Sequence, residues 1–332
     1  MTDTDAMAMR ALQVERLSED LSGVAVRQVP RPLARPGEVL IEVEAASLNY
    51  PDLLMTRGEY QMKPDMPFTL GGDCAGRIVA LGEGVDDLAV GQRVWGVGMG
   101  SFANYAVLPA MAVGPLPDVL DAPSGAAFGA AYLTAYVALV GRARLEPGEW
   151  VLVHGAAGGM GLAAVDLAKA LGARVIATST SDGKLDEVGR LYAPDHVVNS
   201  REALRDKVME LTDGKGADVI FDPVNGALFD ESVRSIAFDG RLLVIGFTSG
   251  EHRSLRSNIA MIKAFSLMGV RAGEYGRRFP DRRKRIIADL TRLAGEGRIR
   301  PHVDSVFPLD QWPEAFARMQ DRAAVGKIVL TP

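Results

Sequence analysis

The sequence predicts an α/β chain in two parts: a β-rich first third, followed by a doubly wound parallel sheet with helices on its faces. Three observations carry this. Short strands separated by glycine turns fill the region before Ser124, unalternated apolar runs alternate with helical stretches from Trp150 onward, and the junction after Val153 is rich in glycine. The 332 residues, 48% hydrophobic and 24% charged, suffice for two domains and argue against disorder or fibrous repeats.

In the first third, Gly23 to Val29 reads as a strand, and Val39 to Val43 alternates with period two after the turn Arg35-Pro36-Gly37. Glycines from Gly71-Gly72 to Gly100 space further short strands, Gly76 to Ala80 and Arg93 to Trp95, as in a barrel or sandwich. An Ala-rich stretch from Ser124 through Val140 fits a helix. After Pro147-Gly148-Glu149, Trp150 to Val153 has the composition of a strand buried on both faces, Leu162 to Leu171 that of a helix, and Arg174 to Ala177 that of a second buried strand. His196 to Val198, Asp218 to Phe221 and Arg241 to Ile245 extend the sheet. Near Ile262 the pattern ends. A helix from Pro280 to Leu293 and a final strand, Lys327 to Leu330, are expected to rejoin the β-rich part, which sets domain bounds at 1–124, 125–262 and 263–332.

Lys+Arg 37 against Asp+Glu 42 leaves a net charge of -5, so no global basic field exists to hold nucleic acid or an anionic membrane. A single cysteine, Cys74, cannot form an internal disulfide, and four scattered histidines do not make a Cys/His zinc cluster. The expected setting is reducing and cytoplasmic. The longest uncharged apolar stretch, Ala126 to Val140, falls short of the roughly 20 residues that cross a bilayer. Met1 to Arg10 lacks the basic start and apolar core of an export signal and reads as a loose tail.

The most informative segment is His154-Gly155-Ala156-Ala157-Gly158-Gly159-Met160-Gly161, which directly follows one buried strand and directly precedes a helix. Its small residues let the backbone turn tightly and approach a pyrophosphate, and the helix behind offers unpaired N–H groups and a positive dipole end. Ala157, Gly158, Gly159, Met160 and Gly161 are therefore expected to bind a dinucleotide. About 20 residues on, where an NAD enzyme usually offers Asp or Glu to the ribose, stand Thr178, Ser179, Thr180 and Ser181, with Lys184 behind. Hydroxyls and a cation suit a 2′-phosphate, which points to NADPH. Asp182 reads either as a helix cap or as a displaced ribose ligand.

Together these residues resemble the medium-chain dehydrogenase/reductase superfamily, and within it the zinc-free quinone oxidoreductase branch. The resemblance spans almost the whole chain. It is carried by Asn49-Tyr50-Pro51-Asp52 with Arg57-Gly58-Glu59-Tyr60, Gly71 to Gly76, the Gly158/Gly161 loop, Gly216 to Asp222, and Gly326 to Leu330. It implies a GroES-like β domain, completed by the C-terminal segment, with a Rossmann-like domain inserted in it. Zinc-dependent alcohol dehydrogenases of the superfamily carry a cysteine near the position of Asn49 and Gly-His-Glu at Gly71-Gly72-Asp73; this chain has neither that thiol nor that imidazole. Cys74 reads as a small buried apolar residue.

The resemblance implies NADPH-dependent, metal-free reduction of a small electrophile, a quinone or an α,β-unsaturated carbonyl compound. Tyr60 matches the tyrosine that serves as proton donor in related enoyl-thioester reductases, and a pocket wall is its other reading. Carried over by position, Asn49 and Thr134 would face the nicotinamide end, Val224 and Asn225 would line the ring-to-ribose region, and Phe247 with Lys327 would close around the cofactor. Asn49 and Asn225 also sit where turns favour asparagine, and Thr134 could simply pack within its helix. The chain departs from bacterial quinone oxidoreductases at Leu54, where a pocket tyrosine often sits. It departs again at Ser200, where a tyrosine commonly flanks the 2′-phosphate and where Arg201 could substitute. Asp52 and Arg57 read as a structural pair.

The cations Arg277, Arg278, Arg282, Arg283, Lys284 and Arg285 flank Phe279-Pro280 and read mostly as a solvated helix face, with a clamp for coenzyme A phosphates as the alternative. Two further functions stay open at this level: an enoyl-thioester (acyl-CoA) reductase, and an NADPH-binding family member with little turnover. Family likeness also implies a homodimer joined through the parallel sheets.

Overall fold

The computed structural model describes residues 8–332. The expected tail therefore lies outside the described residues up to residue 7, and from Ala8 the chain is already a strand. Two compact units are formed. The first takes the described residues to Ala130 together with 283–297 and 301–332, and the second takes 131–282 and 298–300.

The first unit opens with β1 (Ala8–Val14), β2 (Val24–Pro30), β3 (Glu38–Leu48), α1 (Tyr50–Arg57), β4 (Phe68–Thr69), β5 (Asp73–Leu81), β6 (Arg93–Val97), β7 (Tyr105–Pro109) and β8 (Val113–Pro115). The unit boundary falls within α2 (Ala122–Tyr136). The second unit continues with β9 (Trp150–Val153), α3 (Gly159–Ala170), β10 (Arg174–Ser179), α4 (Asp182–Tyr192), β11 (His196–Asn199), α5 (Leu204–Leu211) and β12 (Ala217–Asp222). It ends with α6 (Ala227–Ser235), β13 (Ile236–Val244), α7 (Ser257–Lys263), β14 (Ser266–Gly269) and α8 (Ala272–Arg278). After that come α9 (Pro280–Gly295), β15 (Val303–Pro308), α10 (Trp312–Gln320) and β16 (Lys327–Thr331).

The first unit is built on a seven-stranded sheet in the order β15-β16-β3-β5-β6-β8, with β7 also pairing with β3, and on a three-stranded sheet, β2-β1-β4. Alternation along the strands buries Leu12, Ile41, Ile78, Leu108 and Leu330 in one apolar core with Phe102 and Phe316. Gly76 shows why the β-rich part needs its glycines. It faces Val43 beside an irregularity in the β3–β5 register, and a Cβ there would lie 2.0 Å from the Glu42 carbonyl oxygen. The C-terminal strand β16 lies between β15 and β3, pairing Ile328 with Leu48, so the last segment completes a sheet that the first segment begins.

The second unit is a six-stranded parallel sheet in the order β11-β10-β9-β12-β13-β14. Strand order reverses between β9 and β12, which places a crevice outside the carboxyl ends of those two strands. Trp150 to Val153 are all buried, as expected for a strand covered on both faces. The sheet does not end near Ile262. A sixth strand, β14, pairs in parallel with β13, and the unit extends to Arg282. Ser266-Leu267-Met268-Gly269 is short and mostly exposed, so it lacks the buried apolar run that marks the other strands. The segment 298–300 is tied to this unit by Asp166, whose carboxylate accepts the Arg300 N–H at 2.6 Å and the Tyr132 hydroxyl at 2.6 Å.

The Ala-rich stretch is longer than the sequence suggested. With a π-helical continuation over Val137–Arg142, the helix runs from Ala122 to Arg142, long and apolar enough by length and composition to span a bilayer. Of its 18-residue apolar window 67% is buried, the ordinary state of a core helix. In α9 the cations do not all face water. Arg283 is buried, with its Nε donating to the Met111 carbonyl at 3.1 Å, while Lys284 pairs with Asp87 on the surface. Arg277 and Arg278 pair with Glu274, and Arg282 lies over the Phe279 ring and donates to the Tyr275 hydroxyl.

Candidate active site

The second unit presents the glycine-rich loop between β9 and α3. Gly158 is the exposed N-cap of α3, and the first N–H groups of that helix, on Gly159, Met160 and Gly161, have no carbonyl one turn back to meet. The loop folds on itself: Gly158 N–H donates to the Gly155 carbonyl at 2.9 Å, and Ala156 N–H donates to the Thr178 carbonyl at 2.9 Å. Gly161 must be glycine, since a Cβ there would lie 2.3 Å from the Gly155 oxygen. Ala157 is buried under the turn, and Gly159 and Met160 are half-buried. The result is a cradle of backbone donors at a positive helix end, which fits a pyrophosphate.

At the tips of β10 and β11, Ser179 and Ser200 are half-buried and Thr180 is exposed, and Lys184, in the first turn of α4, is half-buried. The Ser200 N–H donates to the Ser179 carbonyl at 2.9 Å, bringing the two serines together. Thr178 does not join them. It is fully buried, with its hydroxyl 3.0 Å from His154 Nδ1 and 3.3 Å from the Val153 carbonyl. β10 is covered on both faces from Val175 to Thr178, so Thr178 lies one residue inside the tip, a boundary that the sequence run of hydroxyls does not mark. Asp182 is the first residue of α4, behind the N-cap Ser181, and its carboxylate accepts the Asn199 amide at 2.7 Å. Arg201 is exposed.

Beyond β12, Asp222 is buried and its Oδ1 accepts the N–H groups of Val224 at 2.9 Å and Asn225 at 2.8 Å. Asn225 is buried and left-handed, at φ 61°, and its Oδ1 accepts from the backbone of Gly226 and Arg253. That side-chain carbonyl is thus engaged inside its own loop. Val224 Cγ2 sits 3.2 Å from where a Gly155 Cβ would be, so this loop adjoins the cofactor loop. Phe247 is 41% exposed, with its ring against His252. Thr134 is half-buried on α2.

His154 is a polar residue that nothing in the sequence spacing sets apart. It is fully buried between Thr178 Oγ1 and Ser232 Oγ, the latter 2.8 Å from Nε2. Burial holds the imidazole below its ordinary pKa, against the opposing charge of Asp222.

The first unit holds a buried polar cluster made by residues far apart in sequence. Lys327 on β16 donates from Nζ to Asn49 Oδ1 at 2.7 Å, across 278 residues, and to the Leu48 carbonyl at 3.2 Å. Asn49, just before α1, donates from Nδ2 to Asp73 Oδ1 and to the Ser47 carbonyl, both at 3.1 Å. Asp73 also accepts the Ser47 hydroxyl at 2.5 Å and the Ala130 N–H at 3.0 Å. With acceptors and donors fixed on both sides, the Asn49 amide has one orientation. Burial pushes Lys327 below its ordinary pKa, opposed by the charges of Asp73 and Asp52. Burial likewise raises Asp52 to about 7, and it raises the Cys74 thiol to about 12, which leaves that thiol protonated and unreactive.

Asp52 does not pair with Arg57. Its carboxylate accepts the Asn49 N–H at 2.8 Å and the Gly71 N–H at 3.2 Å, while Arg57 Nε is buried with no partner among the described residues. Five positions apart on one helix, the two side chains point to different sides. Tyr60, after α1, is half-buried against the apolar core of the first unit. Among the described residues, no group of three or more His, Cys, Asp or Glu side chains could hold a metal ion.

Two family models match: an alcohol dehydrogenase GroES-like domain over residues 35–118 and a zinc-binding dehydrogenase domain over 159–288. A quinone oxidoreductase-like protein 2 homologue from Nematostella vectensis is 37% identical over 88% of this chain and 81% of its own. The chain is a quinone oxidoreductase-like member of the medium-chain dehydrogenase/reductase superfamily. Among solved structures, a mycobacterial member complexed with NADPH is 27% identical, with a TM-score of 0.89 over 98% of this chain and 100% of that one. The CurK enoyl reductase is 27% identical, with a TM-score of 0.87 over 97% of this chain and 99% of its own. The GroES-like and Rossmann-like architecture of the superfamily is that of the two units.

Proposed function

We propose that this quinone oxidoreductase-like protein is an NADPH-dependent reductase of quinones or α,β-unsaturated carbonyl compounds that works without a metal. The carrying observation is the tip of β10 and β11. Ser179 and Ser200 meet there beside the strand that carries the cofactor loop, Thr180 and, in the first turn of α4, Lys184 follow in sequence, and the carboxylate of Asp182 is engaged by Asn199. Donors and a cation favour a 2′-phosphate, and the NADPH complex of the mycobacterial relative supports the same cofactor.

NADPH, when bound, supplies a hydride to an acceptor that is already electron-poor. The loop Ala157 to Gly161 holds the pyrophosphate with backbone N–H groups and needs no side-chain charge. Family likeness assigns the nicotinamide end to Asn49, whose amide is held in one orientation by Lys327 and Asp73. Tyr60 donates a proton to the oxygen or carbon that gains charge. Asn49 and Gly72 lack the soft and imidazole donors that a catalytic zinc takes, so polarisation of the carbonyl falls to hydrogen bonds.

Stopped-flow oxidation of NADPH with quinones, small enones and acyl-CoA substrates tests this, with turnover of the first two expected. Metal-dependent alcohol oxidation in their place would sink it. Tyr60→Phe is expected to lower kcat by about 100-fold, the low end of what a general acid supplies, with KM little changed. Unchanged kinetics would reduce Tyr60 to a wall.

A second reading, reduction of enoyl thioesters, is favoured by the likeness to the CurK enoyl reductase. It predicts strong dependence of the rate on the CoA portion, although five of the cations around α8 and α9 that would form a phosphate clamp already have protein partners. We also propose a cytoplasmic homodimer, acting on small molecules rather than on nucleic acid or a membrane. The edge strand β14 is paired on one side only, and Leu267, Met261, Ile262 and Phe238 are exposed on the same unit. Leu267→Lys should then shift the solution mass from dimer to monomer.

A further inference from the structure

The second unit holds three histidines, and their surroundings differ. His154 is buried with both ring nitrogens engaged, by Thr178 and Ser232. His196 opens β11 and stacks on Trp150, the first residue of β9, so it lies at the amino ends of the strands, away from the cofactor loop. His252 follows β13 and is exposed, and neither of its ring nitrogens has a hydrogen-bond partner among the described residues. Of the three, it alone joins open nitrogens to a place at the carboxyl ends of the sheet.

The loop that carries His252 is held on both sides of it. Before it, the N–H groups of Thr248 and Ser249 donate to the carbonyls of Pro223 and Val224, both at 3.1 Å, and after it the Arg253 N–H donates to Asn225 Oδ1 at 2.9 Å. Residues 247–253 are thereby laced to the loop beyond β12, whose Val224 adjoins Gly155 of the cofactor loop. Strand order reverses between β9 and β12, and sheets of this kind take their ligands outside the carboxyl ends at that point. Phe247 packs on the imidazole with ring centroids 4.3 Å apart, a contact between rings that uses neither nitrogen. A fixed loop therefore presents an accessible imidazole in a set orientation, the arrangement a binding group needs.

The neighbours say what it meets. The adenosine 2′-phosphate suits the tips of β10 and β11 and the pyrophosphate suits the α3 N-terminus, which leaves the reacting end of the dinucleotide toward β12 and β13. Family likeness gives Phe247 to the cofactor. The imidazole against it carries an N–H whether neutral or charged, so it calls for an acceptor atom. A carbonyl oxygen is the polar group that quinones and enones share.

We propose that His252 is a substrate-binding residue: its imidazole N–H donates to the carbonyl oxygen of the quinone or enone, and Phe247 fixes the plane of its ring. This rests on the reductase reading under Proposed function.

The test compares wild type, His252→Ala and His252→Gln by fluorescence titration of NADPH and by steady-state reduction of a benzoquinone and a small enone. His252→Ala should lower kcat/KM for both acceptors by roughly 3- to 10-fold, the span expected for one hydrogen bond, with NADPH affinity unchanged. His252→Gln, which keeps an N–H and loses the ring, should recover most of that loss. Unchanged kcat/KM in His252→Ala overturns the proposal, and so does an equal loss of NADPH affinity, which would give the imidazole to the cofactor. A loss that glutamine does not restore overturns the hydrogen bond in favour of ring packing. Wild type that binds NADPH and reduces neither acceptor overturns the reductase reading and this proposal together. Should a variant not fold, a crystal structure of wild type with cofactor and an unreactive quinone analogue decides: a His252 ring nitrogen within hydrogen-bond distance of the analogue's oxygen supports the assignment, and one out of reach ends it.

Discussion

The two units build their polar centres by opposite means. In the second unit the cofactor cradle is backbone: Gly155, Gly158 and Gly161 contribute shape and N–H groups within a few residues of one another. In the first unit the centre is side chain, with Asn49, Asp52, Asp73 and Lys327 gathered from the end of β3, α1, β5 and β16. A backbone site tolerates changes of charge but not of volume. A side-chain site buried with two carboxylates and one ammonium tolerates neither, because each charge compensates another.

Lys327→Met should show the largest effect. It removes the ammonium bonded to the cluster and leaves buried carboxylates without it, a change of about 3–5 kcal/mol measurable by urea unfolding. A loss under about 1 kcal/mol would mean that water or neighbouring donors already serve the carboxylates. Gly161→Ala comes next. Its Cβ would meet the Gly155 oxygen at 2.3 Å, and overpacking of this kind costs about 1–3 kcal/mol, with NADPH affinity falling alongside stability. Stability that drops while NADPH binds as before would separate the cradle from the cofactor.

The acid side of the comparison is read by pH. Asp52 is raised from 3.8 to about 7 in the folded chain, so between those values the folded state holds a proton that the unfolded state has lost. Stability conferred through Asp52 is therefore greatest at the acid end and declines as pH rises toward 7, by up to about 1.4 kcal/mol per pH unit. Asp166, raised to about 6 by burial, acts in the same direction over a shorter window. Unfolding of wild type and Asp52→Asn across this range should show the decline reduced in the variant, and parallel curves would remove Asp52 from the balance. The smallest effect is expected from Lys284→Ala. That residue pairs with Asp87 at 2.9 Å in the open, with side chains 80% and 65% exposed, and such pairs are worth about 1 kcal/mol or less.

The same contrast explains what could be read from sequence. The cofactor loop was legible because its parts are contiguous and sit between a buried apolar run and a helix. The helix from Pro280 was legible because Ile286, Ile287, Leu290 and Leu293 repeat on one face. The Lys327–Asn49 bond was not, since 278 residues separate its ends and only the antiparallel pairing of β16 with β3 joins them. The burial of Thr178 was not legible, because a run of four hydroxyl residues does not show where the covered part of β10 ends. β14 was missed because its residues are few and largely exposed. The open imidazole of His252 has no sequence signature, being defined by the strand ends its loop joins and by the ring it packs on.

Strand β16 has a consequence for synthesis on the ribosome. By residue 269 every strand of the parallel sheet has emerged, so that sheet can assemble while translation continues. The earlier sheet must wait, with β3 lacking one neighbour and Asp73 lacking its nearby ammonium, until Ile328 arrives opposite Leu48. The part of the molecule translated first is thus the last to close, and for most of elongation its open flank is the surface a chaperone would have to guard.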